Sequence, residues 1–333
     1  MDITLRVLLS ALTAFAVTAL VSRPVIAFAK RAKASQTILF YVDKHEGKKG
    51  TPTMGGIMFL IGVSVAVLVF GRQKLGIVSL CVTLGYALIG FLDDFIKVKL
   101  KRNLGLKAYQ KIVGQLGIAA IVSAFCYTTG AVGSVIRIPF THIYANFGWA
   151  YIPFCAFVFI AMSNAVNLTD GLDGIVAASG SVYFAAFGVM IAFAAVALAD
   201  GGRTFLAEEY ESLCVFAFAF FGALIAFFWC NSNPAGIFMG DTGSLAVGGA
   251  AACVAVFSQN ALFAPIIGIM FVVSCISVIL QVLHFKRTKK RLFLMAPFHH
   301  HLEYKGIKEC KIVSYYAVIT LVAALVALIA YIV

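Results

Sequence analysis

Charge is what this chain has least of. Only 12% of its 333 residues are Asp, Glu, Lys or Arg, about half the share found in soluble domains. With 62% hydrophobic residues and a mean hydropathy of +0.99, that scarcity excludes an ordinary soluble globule. No polar stretch is long enough to build a second core, so residues 1–333 read as a single polytopic membrane domain. Internal repeats and low-complexity linkers are also missing, which weighs against inverted-repeat transporter architectures. The eight cysteines (81, 126, 155, 214, 230, 253, 275 and 310) include no C-x-x-C pair and lie mostly inside apolar runs. They read as small core residues, with neither a zinc site nor a disulfide framework.

What remains is apolar, in runs that are long and unbroken rather than alternating with period two. That pattern predicts an all-α integral membrane protein and not a β-barrel. Ten spans are expected, at about 3–29, 53–70, 76–96, 112–129, 151–166, 174–199, 213–230, 243–257, 261–285 and 312–332. The first run continues past Arg23 and Pro24 with no polar mature domain behind it, so it reads as a retained span and not a signal peptide.

The charges that exist are unevenly placed. Lys and Arg total 26 against 14 acids, a net +12. In a membrane chain that excess reports topology and gives no reason to expect a nucleic-acid partner. Twenty of the 26 fall in Lys30–Lys49, Lys97–Lys111 and Lys286–Lys311, while the connections at 71–75, 130–150, 200–212 and 258–260 hold only Arg72, Lys74, Arg137 and Arg203. With ten spans the three basic loops share one side, the cytoplasm, and both termini face out. The alternation around Val135–Pro139 predicts a small external hairpin near 135–150. Residues 200–212, with four acids, read as a solvated acidic loop.

On this topology Asp93 and Asp94 end the third span, Asp170 and Asp173 fill the turn after the fifth, and Asp241 precedes the eighth. Five carboxylates therefore gather on one face. An intramembrane acid is a functional-site hypothesis by default. Carboxylates without a His/Cys cluster favour a hard cation, Mg²⁺ above all, held together with substrate phosphates. Neighbouring glycines allow close backbone approach to a ligand, and Lys97, Lys101, Lys107 and Lys111 offer phosphate neutralisation. Acids, metal and lysines together are the equipment of phosphoryl transfer. Asp93 and Asp94 point about 100° apart on a helix, so one can face the reaction while the other holds a lysine or a backbone group. Of His299, His300 and His301, only one or two can reach a common ligand. Gln281 and His284 read as satisfying polar needs inside the bundle, and Thr51–Gly56 as a proline-started helix with glycine packing.

Five motifs in order carry a family resemblance: Lys48–Gly56 (KKGTPTMGG), Asp93–Lys97 (DDFIK), Asn167–Gly174 (NLTDGLDG), Asn231–Ser244 ending in FMGDTGS, and His299–Glu303 (HHHLE). Together the chain resembles the phospho-N-acetylmuramoyl-pentapeptide transferases, a bacterial membrane family within the polyprenyl-phosphate sugar-1-phosphate transferases. The resemblance implies ten helices, a dimer in the bacterial inner membrane, and Mg²⁺-dependent transfer. Undecaprenyl phosphate would attack the sugar-side phosphorus of UDP-N-acetylmuramoyl-pentapeptide, giving lipid I and UMP for peptidoglycan synthesis. It implies Asp93 as base or activator of the lipid phosphate with Asp94 beside it, Asp241 as the principal metal ligand, and His300 at phosphate or metal. Lys48, Asn167, Asp170, Asp173 and Phe238 would form the nucleotide pocket, with Phe238 stacked on uracil. Asn231 and Gln281 match polar positions near the sugar and phosphates, and Thr53, Lys97, His299 and His301 complete the substrate-binding set. A further lysine matches Lys107 or Lys111, with Lys111 favoured. Direct displacement and an aspartyl-phosphate route both remain open. The nearest rival is a sister N-acetylglucosamine-1-phosphate transferase, disfavoured by HHHLE; the remote one is a cation channel, which should spread acids through the membrane depth.

Overall fold

The structure, a computed structural model, describes residues 2–32, 50–100 and 104–333. In chain order it consists of α1 (Ile3–Arg31), α2 (Gly56–Phe70), α3 (Lys74–Lys99), α4 (Ala108–Thr128), β1 (Val135–Arg137), β2 (Tyr144–Asn146), α5 (Tyr151–Thr169) and α6 (Ile175–Asp200). These are followed by α7 (Thr204–Asn231), α8 (Gly240–Phe257), α9 (Ala264–Ile267), α10 (Ile269–Thr288), α11 (Phe298–Tyr304) and α12 (Glu309–Ile332). Among the described residues nine helices are long and apolar enough to cross a membrane, and α2 is a shorter apolar helix of 15 residues. Leu5, Leu8, Leu12 and Leu20 on α1, Ile279 and Leu283 on α10, and Leu321, Val322 and Leu325 on α12 are all exposed. Faces of that size would drive association in water; in lipid they are the solvated surface. The chain is an all-α multi-pass membrane protein carrying one small β-hairpin.

The centre of the bundle is α8. Every one of its residues except Asp241 is buried, and it packs against α3 and α5. Of the 18 residues in its sequence, GDTGSLAVGGAAACVAVF, 12 are Gly, Ala, Ser, Thr or Cys. Between lipid-embedded helices no hydrophobic force pulls surfaces together, so close contact through small residues supplies the association. The neighbouring α7 packs on α6, α1 and α2. Eighteen residues give α8 a length of about 27 Å, which separates two chemically different ends of the bundle.

The hairpin forms within the expected range, antiparallel with Val135 opposite Asn146, Ile136 opposite Ala145 and Arg137 opposite Tyr144. Three local expectations are corrected. Most of the acidic segment 200–212 is helix, the first turns of α7, where Glu209 is buried and accepts from the Leu75 N–H at 2.7 Å while Glu211 pairs with Arg6 at 2.9 Å. Those acids serve the orphan N–H groups of α3 and a cross-helix contact instead of water. The ninth run is broken: a 3-10 turn at Ala261–Phe263 and the short α9 precede α10. Thr51–Gly56 does not start a helix at Pro52. Instead Phe238 N–H donates to the Pro52 carbonyl and Gly55 N–H to the Phe238 carbonyl, tying this segment to the loop before α8.

Candidate functional site

The C-terminal end of α3 meets the N-terminus of α8. A helix start leaves backbone N–H groups without partners and carries partial positive charge. Asp94, fully buried, answers both: its carboxylate accepts from Asp241 N (3.2 Å), Thr242 N (2.9 Å) and the Thr242 hydroxyl (2.7 Å). Two glycines make the approach feasible. A methyl on Gly90 would strike the Asp241 carbonyl. Gly240 has φ +72° and faces the Asp94 carboxylate and the Thr53 hydroxyl, a backbone state that side chains strain.

Asp93 faces a different set of partners, as the helical angle between the two acids predicts. Its Oδ1 accepts from Leu106 N–H at 2.7 Å, and Lys97 Nζ lies 2.6 Å from its Oδ2. Lys111, from α4, reaches Asp93 Oδ1 at 3.1 Å and also pairs with Asp241 Oδ2. Lys97 touches the same Asp241 oxygen at 3.2 Å. The other Asp241 oxygen accepts from Asn167 Nδ2 at 3.1 Å, and Asn167 also donates to Ser244 Oγ at 2.8 Å. One carboxylate oxygen from each of Asp93, Asp94 and Asp241 lies within 4.8 Å of the others, a set that can hold a divalent cation. The donors are all carboxylate oxygens, as a hard cation prefers. Three carboxylates against two lysines leave the cluster negative, so electrostatics also favour a cation. Lys107, by contrast, is exposed at the start of α4, where its N–H donates to the Gln110 side chain at 2.8 Å.

Beside this cluster the α5–α6 turn builds a second polar set. Asp173 Oδ2 accepts from Asn233 Nδ2 (3.2 Å) and Ala235 N (3.1 Å), while Asp173 N–H donates to Glu309 Oε1 at 2.6 Å. Glu309 also accepts from Asn233 at 2.7 Å. Buried Asn231 ties Gly174 N–H (3.0 Å) to the Ile237 carbonyl (2.9 Å), fixing the loop that presents Phe238. Burial, reinforced by Asp241, Asp94 and Asp173, holds the Asp170 carboxyl well above the usual carboxylate range.

The three histidines diverge. His299 is fully buried, with its Nε2 against Gly171 and neither ring nitrogen hydrogen-bonded. Burial and neighbouring His300 push it well below its usual value, so it is a neutral imidazole. His300 also turns its Nε2 to Gly171, while its Nδ1 lies 3.0 Å from Glu303 Oε2. His301 faces away: its Nδ1 accepts from Leu294 N–H at 3.2 Å and its ring stacks on Phe298.

The chain spans nearly the whole length of its relatives. It is 42% identical to the phospho-N-acetylmuramoyl-pentapeptide-transferase of Desulfitobacterium hafniense, over 98% of both chains. The like-named proteins of Clostridioides difficile (42%, 96% of both) and Bacillus subtilis (41%, 92% of both) align similarly. Residues 76–259 match the model of glycosyl transferase family 4, and residues 48–60 match phospho-N-acetylmuramoyl-pentapeptide-transferase signature 1. The chain belongs to the phospho-N-acetylmuramoyl-pentapeptide-transferase family.

Set against the family's expected site, the structure joins Asp93, Asp94, Lys97, Lys111, Asn167 and Asp241 directly, with Thr53 against Gly240. Asp173 and Asn231 form the adjoining set, and His299 and His300 close on the turn between them. Asn167 belongs with Asp241 and Ser244, not with the Asp173 set. Gln281 and His301 stand apart. Gln281 Oε1 accepts from Leu292 and Phe293 N–H groups at 3.1 and 2.9 Å, so both side chains shape the loop between α10 and α11. Lys48 lies outside the described residues. Thr242, Ser244, Asn233 and Glu309 were not singled out from sequence. Thr242 and Ser244 sit in the motif around Asp241, whereas Glu309, 136 positions from Asp173, leaves no local signal.

Proposed function

We infer that this protein transfers phospho-N-acetylmuramoyl-pentapeptide from its UDP-linked precursor to undecaprenyl phosphate, the lipid I-forming step of peptidoglycan synthesis. A lipid-phosphate oxygen forms the new bond to the sugar-side phosphorus, the bond from that phosphorus to UMP breaks, and UMP leaves with the electron pair. The carrying observation is the Asp93–Asp94–Asp241 cluster threaded by Lys97 and Lys111, in a chain of this family.

The roles divide by what each group already holds. Asp94 positions α8, and with it Asp241, through the helix N–H groups. Asp93 and Asp241 hold two lysines whose ammonium groups can receive phosphate oxygens as charge develops. Mg²⁺ would be held by Asp241 with Asp93 and Asp94 alongside, and when bound it supplies charge neutralisation on the diphosphate and leaving UMP. Asp173, Asn231 and the loop bearing Phe238 form the nucleotide side, with Asp170 beside it; Thr53 stands at Gly240 next to the acid cluster, and Lys48 is assigned to nucleotide binding by the family resemblance alone. His300 and neutral His299 approach from α11. Gln281 and His301 are assigned to the substrate boundary through the loop they fold.

Counting α2 gives ten spans, which puts both termini outside and the acid cluster on the cytoplasmic face of the bacterial inner membrane. The basic connections Lys97–Lys111 and Lys286–Lys311 support that side. The chain is read as a single polytopic domain that forms a homodimer. Purified protein given UDP-N-acetylmuramoyl-pentapeptide should release UMP only with both undecaprenyl phosphate and Mg²⁺ present. Turnover of UDP-N-acetylglucosamine in its place would overturn this reading in favour of the sister enzymes.

A further inference from the structure

At the far end of α8 from the acid cluster lies a cavity of about 840 Å³, bounded by the hairpin, the α6–α7 connection and the end of α12. Arg137, Arg203, Tyr144, Tyr210, Tyr331 and Asn260 line it, and no Asp or Glu does among the described residues. Arg137 is only 7% exposed. One of its terminal nitrogens donates to the Tyr331 carbonyl, and the guanidinium lies over the Tyr331 ring at 4.0 Å and near the Tyr144 ring at 5.8 Å. Its Nε has no hydrogen-bond partner, and Arg137 pairs with no carboxylate among the described residues. Asn260, 2% exposed, spends its amide N–H groups on Ser258, which leaves Oδ1 without a donor.

Buried polar groups are almost always satisfied. A buried guanidinium with donor capacity in hand, a rim arginine and an unused acceptor therefore describe a ligand that is anionic and also carries a hydroxyl. The flank of the cavity is apolar and open, through Phe193 (53% exposed) and Ile332 (64%), so the same ligand can extend into lipid. We propose that this cavity binds the phosphoglycerol headgroup of an anionic phospholipid. The phosphate sits between Arg137 and Arg203, where guanidinium forks match its oxygens. A headgroup hydroxyl donates to Asn260 Oδ1, and the acyl chains run along Phe193 and Ile332. The site is at the opposite end of the bundle from the acid cluster and needs none of its residues.

The test is native mass spectrometry of the full-length protein released from detergent and titrated with phosphatidylglycerol, with phosphatidylcholine of the same chains, or with soluble glycerol phosphate. Arg137→Gln should weaken phosphatidylglycerol binding about tenfold or more, as loss of a charged hydrogen bond does. Arg203→Gln, on the rim, should weaken it about threefold. Lys290→Gln, in the basic loop after α10, should leave it unchanged. If Arg137→Gln does not fold, Arg203→Gln against Lys290→Gln decides. Equal binding of phosphatidylcholine overturns the headgroup assignment, and equal binding of glycerol phosphate overturns the lipid source. Affinity unchanged in the arginine variants, or lowered as much by Lys290→Gln, overturns the site.

Discussion

The two ends of α8 handle charge in opposite ways. At its N-terminus three carboxylates and two lysines meet across α3, α4 and α8, leaving the cluster negative, and each charge has several partners. At the other end a single buried guanidinium has a carbonyl and two rings for company and, among the described residues, no acid. Both ends obey the helix dipole, with Asp94 at the N-terminus of α8 and Arg137 at the C-terminal carbonyl of Tyr331 in α12. The difference lies in coupling. Removing one charge from the network unbalances the others in a low-dielectric site, whereas removing the isolated one affects a single contact set. Large functional effects should therefore cluster at the acid end.

The strongest break is Asp241→Asn. It keeps the shape and the Asn167 contact but removes the charge that both lysines and a cation would share. UMP release should fall about a thousandfold or more, while thermal unfolding in detergent stays near that of the parent protein. Near-parental turnover would move the metal site elsewhere. Asp94→Ala should show the reverse emphasis. It strips three hydrogen bonds from the start of α8 and leaves buried N–H groups unsatisfied, at about 1–3 kcal/mol for each group orphaned. The unfolding midpoint should drop clearly and activity should fall with it. A variant that loses turnover at an unchanged midpoint would mean Asp94 acts in chemistry and not in positioning.

Lys111→Ala against Lys107→Ala sharpens the boundary of the network. Lys111 bridges Asp93 and Asp241, so its loss should lower turnover about a hundredfold, a charge-assisted contact with each acid being worth about 1.5–3 kcal/mol. Lys107 is exposed at the start of α4 and should change turnover less than about twofold. Comparable losses in the two variants would erase the distinction.

Much of this was legible in the sequence because the acids are punctuation in apolar text. Asp93, Asp94, Asp170, Asp173 and Asp241 stand at span ends, and charge alternation in the loops places them together. What stayed hidden shares one cause: it depends on contacts between distant elements. Glu209 looked like loop because an acid in a helix's first turns resembles an acid in water, yet it serves the N-terminus of α3. Glu309 meets Asp173 across 136 positions with no periodicity to announce it. The break before α10 sits inside a run apolar enough to read as one helix. The division of labour between Asp93 and Asp94 was legible as an angle, but which of them holds backbone required α8 to be in place.

A modest expected effect gives the sharpest test of how the triple histidine divides. His300 turns its Nε2 to Gly171 beside the acid set, whereas His301 stacks on Phe298 and accepts from Leu294 N–H. Losing His301 removes one neutral hydrogen bond and a ring contact, about 1–2 kcal/mol together, from a loop that does not touch the acids. His301→Ala should therefore lower turnover only a few-fold, with its main effect on KM for the nucleotide substrate through the loop's position. His300→Ala, on the face toward Gly171, should lower kcat by about a hundredfold, within the usual range for a group acting on the reacting atoms. Measuring both parameters for both variants at saturating lipid acceptor separates the roles. If His301→Ala loses kcat as deeply as His300→Ala, the loop carries chemistry and the division drawn between the two side chains fails.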